Sequence, residues 1–199
     1  KKVKDYVEAN CGGIVVDRTK IKYIKQGKLK KNYWYSKEIW EIDLNAAYWN
    51  FAFKSGYISK ELFEEGKKVS KMCRLVSLGN LAKCVSVLNF NGSEFEFKET
   101  LRSEATEGVF FDVSQQTDAI MNLCRAIADN DFLFYWVDAI FIQGSKAKNE
   151  VENYLIENEI PYKSKRIDKV IQRLDFIECF DKFKGKEKKR IFNFKKVYI

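Results

Sequence analysis

The chain has no histidine. That absence removes imidazole general bases, the serine–histidine–aspartate triad and most zinc sites together. Its cysteines, Cys11, Cys73, Cys84, Cys124 and Cys179, are scattered and odd in number, with no CxxC pair. Neither a zinc knuckle nor a disulfide framework is expected, and reduced thiols in a cytoplasmic protein are the simplest reading. No GxxxxGK[ST] run is present, which argues against a P-loop ATPase. The single proline, Pro161, and the lack of a Gly/Ser-rich tract leave no obvious linker. No apolar run reaches the ~20 residues that span a bilayer. The opening KKVKDYVEAN lacks the apolar core of a signal peptide. A membrane partner is therefore not expected.

What is present is a foldable, basic chain. Of 199 residues, 46% are apolar and 15% aromatic, enough for one domain with a real core. Lys and Arg number 36 against 28 Asp and Glu, a net charge of +8. Such an excess favours an anionic partner, nucleic acid before membrane.

Along the chain, GIVVDRTKIKYI at 13–24 reads as a strand followed by an alternating strand, and Lys25–Lys31 as a basic turn around Gly27. Residues 1–38 are accordingly assigned to N-terminal strands. The aromatic and β-branched content of Tyr33–Leu44 predicts a strand through Ile39–Leu44, and AAYWNFAFK within Asn45–Lys54 a helix stopped at Ser55-Gly56. Ser59–Glu65 reads as a short helix broken at Gly66. Lys67–Lys83 reads as a further helix, with Lys67, Lys71 and Arg74 on one stripe and Val69, Met72, Cys73 and Val76 on a packed face. Asn89–Gly92 is a turn, SEFEFKE alternates, and Phe110–Val113 is a short strand whose successor, Ser114, N-caps a helix with apolar positions Ile120, Leu123, Cys124 and Ile127. Phe132–Trp136 and Ala139–Ile142 make a tight apolar hairpin with Asp138 near its tip. A helix over about 146–159 ends before Pro161, and residues 172–199 form a C-terminal hairpin around the basic turn KGKEKK. The fold class expected is α+β, an antiparallel sheet with helices on one face.

Two carboxylates stand out: Asp43 at the end of one strand and Asp138 between two apolar arms. Carboxylates from separate strands can hold two Mg²⁺ ions, with cations facing the phosphates from the other side. Plain alternatives exist for each: a helix N-cap for Asp43, a turn residue for Asp138, a core aromatic for Tyr48.

IDLNAAYW, RLVSLGNLAK, YWVDAIFI and LDFIECFDKFKGKEKKRIF occur in that order, and together they resemble the palm motifs of the family B DNA polymerases. The first is similar to D-x-x-S-L-Y-P, placing Asp43 on the metal-binding Asp and Tyr48 on the Tyr that excludes a ribose 2′-hydroxyl. The second is similar to K-x-x-x-N-S-x-Y-G, with Arg74 on the phosphate-binding Lys and Lys71 one turn earlier. Leu78, Gly79 and Leu81 depart from that pattern. The third is similar to Y-x-D-T-D-S-x-F, with Asp138 on the second Asp and Trp136 where the first would stand. The last is similar to the strand pair ending in K-K-x-Y, with Lys188 and Lys189 as backbone contacts.

The resemblance implies one palm-like domain over 1–199, a fingers-like helical segment at 45–84 and a motif hairpin at 132–142. It implies Mg²⁺-dependent addition of dNTPs to a nucleic-acid 3′ end on primer-template DNA in DNA replication, with Mn²⁺ as the alternative ion and a reduced, viral-type polymerase as the setting. Asp43 and Asp138 would be the catalytic and metal-binding pair; Tyr48, Lys67, Lys71 and Arg74 would bind the nucleotide; Lys188 and Lys189 would bind nucleic acid. Family members are several times longer, so another protein would supply thumb or exonuclease functions. The competing expectation is an inactive palm that only binds nucleic acid or a partner. A two-metal nuclease would need further carboxylates, for which Glu41 is the only candidate.

Overall fold

The computed structural model describes residues 1–27, 34–35, 38–101, 103–183 and 186–194. In chain order it has α1 (Lys2–Asn10), β1 (Ile24–Gln26), β2 (Trp34–Tyr35), β3 (Ile39–Leu44), α2 (Ala47–Lys54), α3 (Lys60–Lys68), α4 (Lys71–Gly79), β4 (Val85–Phe90) and β5 (Phe95–Leu101). There follow α5 (Glu104–Ala128), β6 (Phe132–Trp136), β7 (Ala139–Gln143), α6 (Ser145–Glu157), β8 (Tyr162–Ile167), β9 (Lys169–Gln172), β10 (Phe176–Phe183) and β11 (Lys186–Asn193). This is an α+β chain with antiparallel sheets. It divides into two compact units, one of residues 1–21 with 46–116 and one of 22–45 with 117–199. No helix among the described residues is long and apolar enough to cross a membrane.

In the second unit, the first sheet runs β1-β6-β7-β3-β8, with every pairing antiparallel. Four of its strands, β8-β3-β7-β6, have the order of a split βαβ motif, in which each helical crossover skips one strand. Alternation along β3 gives it two different faces. Trp40 lies beneath the Lys148 ammonium of α6, 5.0 Å from the ring centroid, and two strands away on β6 the Tyr135 hydroxyl donates to Asp118 of α5 at 2.6 Å. One face is thus covered by the C-terminal half of α5 and by α6. Buried Met121, Cys124 and Ala128 recur at helical spacing on the former, and Ala147, Val151 and Leu155 on the latter.

On the opposite face Ile39 packs with Phe134, Ala139 and Phe141, and with Val170, Ile177 and Cys179 of a second sheet ordered β11-β10-β9-β2. Phe134 and Phe141 stack with centroids 4.1 Å apart, and Phe192 closes on both at 5.4 Å. These rings form the apolar seal between the two sheets. Burying each aromatic ring removes on the order of 150–250 Å² from water.

In the first unit, Ser59 and Ser70 cap α3 and α4, each accepting from a backbone N–H three residues on. Close packing decides one glycine: a Cβ at Gly66 would fall 2.2 Å from the Trp49 ring.

Several sequence expectations need correcting. Residues 2–10 are a helix, and 13–24 holds a short 3-10 turn at Arg18–Lys20 capped by Asp17 rather than two strands. Lys67–Lys83 is not one helix: α3 ends at Lys68 and Ser70 starts α4. Val69, Met72, Cys73 and Val76, expected as the packed face, are exposed. Phe110–Val113 lies inside α5, so Ser114 is no cap; its hydroxyl donates to the Phe110 carbonyl oxygen. The parts of the basic turns at 28–31 and 184–185 lie outside the described residues.

Candidate active site

Asp43 stands at the C-terminal end of β3, directly across from Ala139 of β7 on one side and Lys163 of β8 on the other. One residue on, the Leu44 amide donates to the Asp138 carbonyl oxygen at 2.9 Å. The two carboxylate-bearing residues therefore sit at the same end of neighbouring strands, both half-buried. Asp43 does not cap the following helix, because α2 starts at Ala47 and its N-cap is Ala46.

Asp138 lies in the two-residue loop of the β6–β7 hairpin, since Trp136 pairs with Ala139. The other loop residue, Val137, has φ 55°. Two-residue hairpins need such left-handed backbone and normally meet the need with Asn or Gly. A β-branched residue there is a true outlier, and strain of this kind is held only where surrounding structure enforces it. The enforcing contact is visible: the Val137 amide donates to Tyr23 O at 2.6 Å, and Tyr23 is itself left-handed at φ 54°.

Trp136, at the place of the first Asp of the resembled motif, packs against Phe192 and Phe194, with centroids 5.4 and 5.5 Å away. It extends the apolar seal between the sheets and offers no ligand oxygen.

Behind Asp43 on the same face of β3, Glu41 is 4% exposed. It accepts a bidentate pair from Arg190 at 2.8 and 2.6 Å, and Lys165 approaches it at 3.2 Å. Asp181 joins the cluster through Lys165 at 2.5 Å and Arg190 at 3.4 Å. Burial pulls the Arg190 guanidinium towards neutrality, but hydrogen bonding and the charges of Glu41 and Asp181 outweigh it and leave its pKa raised. Burial also pushes the nearby Cys179 thiol up, so it stays protonated. Glu41 is consequently committed to an internal ion pair. Among the described residues no group of three or more Cys, Asp and Glu is set to hold a metal ion.

The remaining site expectations fall in different places. Lys189 pairs with Glu178, which Arg173 also meets at 2.9 Å. Hydrogen bonding to Lys189, aided by Arg173, holds the Glu178 carboxyl below its ordinary range. Lys188 is exposed and stands across from Asp181. Consecutive strand residues face opposite ways, so the two lysines cannot lie against one duplex from one surface. Tyr48, Lys67, Lys71 and Arg74 belong to the first unit. Tyr48 stacks with Phe110 at 6.0 Å. Lys67 pairs with Glu64 at 2.8 Å. Arg74 donates through Nη1 to the carbonyl oxygens of Gly66 and Val69, at 2.8 and 2.9 Å, satisfying the end of α3. The expected single cationic stripe is therefore split over two helices, with Lys71 opening the second.

Sequence reasoning missed Lys163, whose register with Asp43 depends on strand pairing, and the Arg190 cluster, whose partners lie far apart in sequence. No protein-family model matches the chain, and no curated protein matches it.

Proposed function

We propose that the second unit is the palm of a two-metal nucleotidyltransferase that adds dNTPs to the 3′ end of a primer-template DNA, with Asp43 and Asp138 as its metal-binding pair. The observation that carries this reading is the tie between their strands: Asp43 across from Ala139, and Leu44 bonded to the Asp138 carbonyl oxygen. Split βαβ order around that pair, and the insertion of residues 46–116 between β3 and the rest of the second unit, also support it.

The donor set suits a hard cation. Two carboxylates with no imidazole or thiolate beside them match Mg²⁺, or Mn²⁺ in its place, which fill their remaining positions with water and phosphate oxygens. Bound there, such ions supply activation of the attacking 3′ oxygen and charge neutralisation on the triphosphate. The chain's own contribution is positional. The strained Val137 backbone fixes where Asp138 leaves the hairpin, and β7 and β8 hold Asp43 from both sides. The nucleotide roles of Tyr48, Lys67, Lys71 and Arg74, and the DNA contacts of Lys188 and Lys189, rest on the resemblance alone.

A second reading has a specific observation in its favour. Trp136 replaces a carboxylate with a packed ring, and Lys189 is neutralised by Glu178. Both suit a palm kept for binding nucleic acid or a partner without chemistry. Extension of a labelled primer-template with Mg²⁺ and dNTPs, comparing wild type with Asp43→Asn and Asp138→Asn, separates the two. Extension by wild type alone supports catalysis. Salt-sensitive binding without extension supports the second reading.

A further inference from the structure

In the first unit, β4 and β5 form a two-stranded sheet among the described residues. Leu88 pairs with Phe97 and Phe90 with Phe95, so directly opposed positions and strand alternation put all four side chains on one face. Each is more than half exposed: Leu88 52%, Phe90 60%, Phe95 72% and Phe97 65%. The Phe90 and Phe95 rings lie 5.0 Å apart, so the patch is contiguous. Isolated surface hydrophobics are ordinary, but a joined patch marks an interaction surface. A lone two-stranded hairpin is also marginal in water.

We infer that this face is a docking surface for a second copy of the chain, with two hairpins packing face to face about a two-fold axis. Area is the first argument. Three phenylalanines of about 200 Å² each, some two-thirds exposed, together with Leu88 offer roughly 500 Å² per copy. Two such faces bury about 1,000 Å², the level a specific interface must clear. Charge is the second. The face carries no charge, so it is complementary to itself, as an isologous contact requires.

Edge pairing along β5 is disfavoured. The register shifts between Val87 and Leu88, leaving Lys98 without an opposite partner, and Glu96 and Glu99 flank it. Bulges and charges of this kind protect a strand edge. Single-stranded nucleic acid is the poorer occupant, because stacking platforms need interleaved cations. Here the interleaved residues are Asn89, Glu94, Glu96 and Lys98.

The test is sedimentation velocity over a dilution series, with reductant present because Cys73 and Cys84 are exposed. Wild type is expected to show a reversible species of twice the 23.4 kDa chain mass. Phe95→Glu and Phe97→Glu should weaken pairing by about thirtyfold or more, the size of an interface hot spot, with unchanged circular dichroism. Leu101→Glu, half-exposed on the opposite face of the hairpin across from Val85, should leave pairing intact. Wild type monomeric at every concentration, open-ended aggregation, or equal disruption by Leu101→Glu would each overturn the proposal.

Discussion

The Leu44 amide hydrogen-bonds the Asp138 carbonyl oxygen over 2.9 Å, tying the residue after one carboxylate to the backbone of the other. This bond uses main-chain atoms only, so neither Asp side chain is needed for it. Asp43→Asn and Asp138→Asn should therefore leave this backbone tie in place and the circular dichroism of the fold unchanged. Primer extension should fall by a factor on the order of 10³, because metal-held charge supplies several kcal/mol of the barrier lowering. Equal trace extension by wild type and both variants would end the catalytic reading.

Val137 offers a second test. Glycine removes the steric cost of φ 55°, so Val137→Gly should raise stability by about 1 kcal/mol, read from the urea midpoint. If the strain positions Asp138, the more stable variant should also be the less active one. A loss of stability would show that Val137 packing outweighs the strain.

Arg190 answers two buried carboxylates, Glu41 and Asp181. Arg190→Ala should cost about 3 kcal/mol in urea unfolding, the low end for a broken buried pair, since Lys165 still meets both carboxylates. Replacing Glu41 and Arg190 together by leucine should cost less than the single change. Equal losses would mean that the pair contributes packing rather than charge.

Glu178 gives the pH dependence. An unperturbed glutamate titrates near about 4.3, and Glu178 lies lower in the fold because of Lys189 and Arg173. Its contribution is thus complete above that ordinary value and is lost as pH falls through the lower folded one. Glu178→Gln should flatten this acid limb in melts recorded across the acid range. An unchanged limb would assign the acid sensitivity elsewhere.

Lys188 and Lys189 face opposite ways, so they should part company in DNA binding. If Lys188 contacts a phosphate, Lys188→Ala should lower the slope of log K against log salt by about 0.9 on duplex. Lys189→Ala should instead loosen the β10–β11 hairpin through Glu178, with little change in slope. Equal slopes for both variants and wild type would remove the hairpin from the DNA contact.

The strands that carry the two carboxylates were legible in the sequence. Ile39–Leu44 is rich in β-branched and aromatic residues and the arms around Asp138 run apolar over lengths that suit strands, and the structure has strands there, the second arm one residue longer, to Gln143. The short stretch Phe110–Val113 misled, because four residues cannot distinguish a strand from one turn of a 25-residue helix. Lys67–Lys83 misled because helical periodicity on both sides hid the capping serine, Ser70. Glu41 looked like a spare ligand because its partner, Arg190, lies at the other end of the chain. Register across strands, which sets Lys163 beside Asp43, is a tertiary property with no local signal.

The pairing of β3 on both of its edges also bears on how the protein forms. Ile42 pairs with Ile140 and with Ser164, roughly 100 and 120 residues later, so the contacts are strongly non-local and should form slowly. During synthesis, at about 5–20 residues per second, β3 waits several seconds for its first neighbour. Its apolar Ile39, Ile42 and Leu44 are exposed over that interval. The strand that presents Asp43 is thus among the parts of the sheet completed late, and it depends on protection while the rest of the chain emerges.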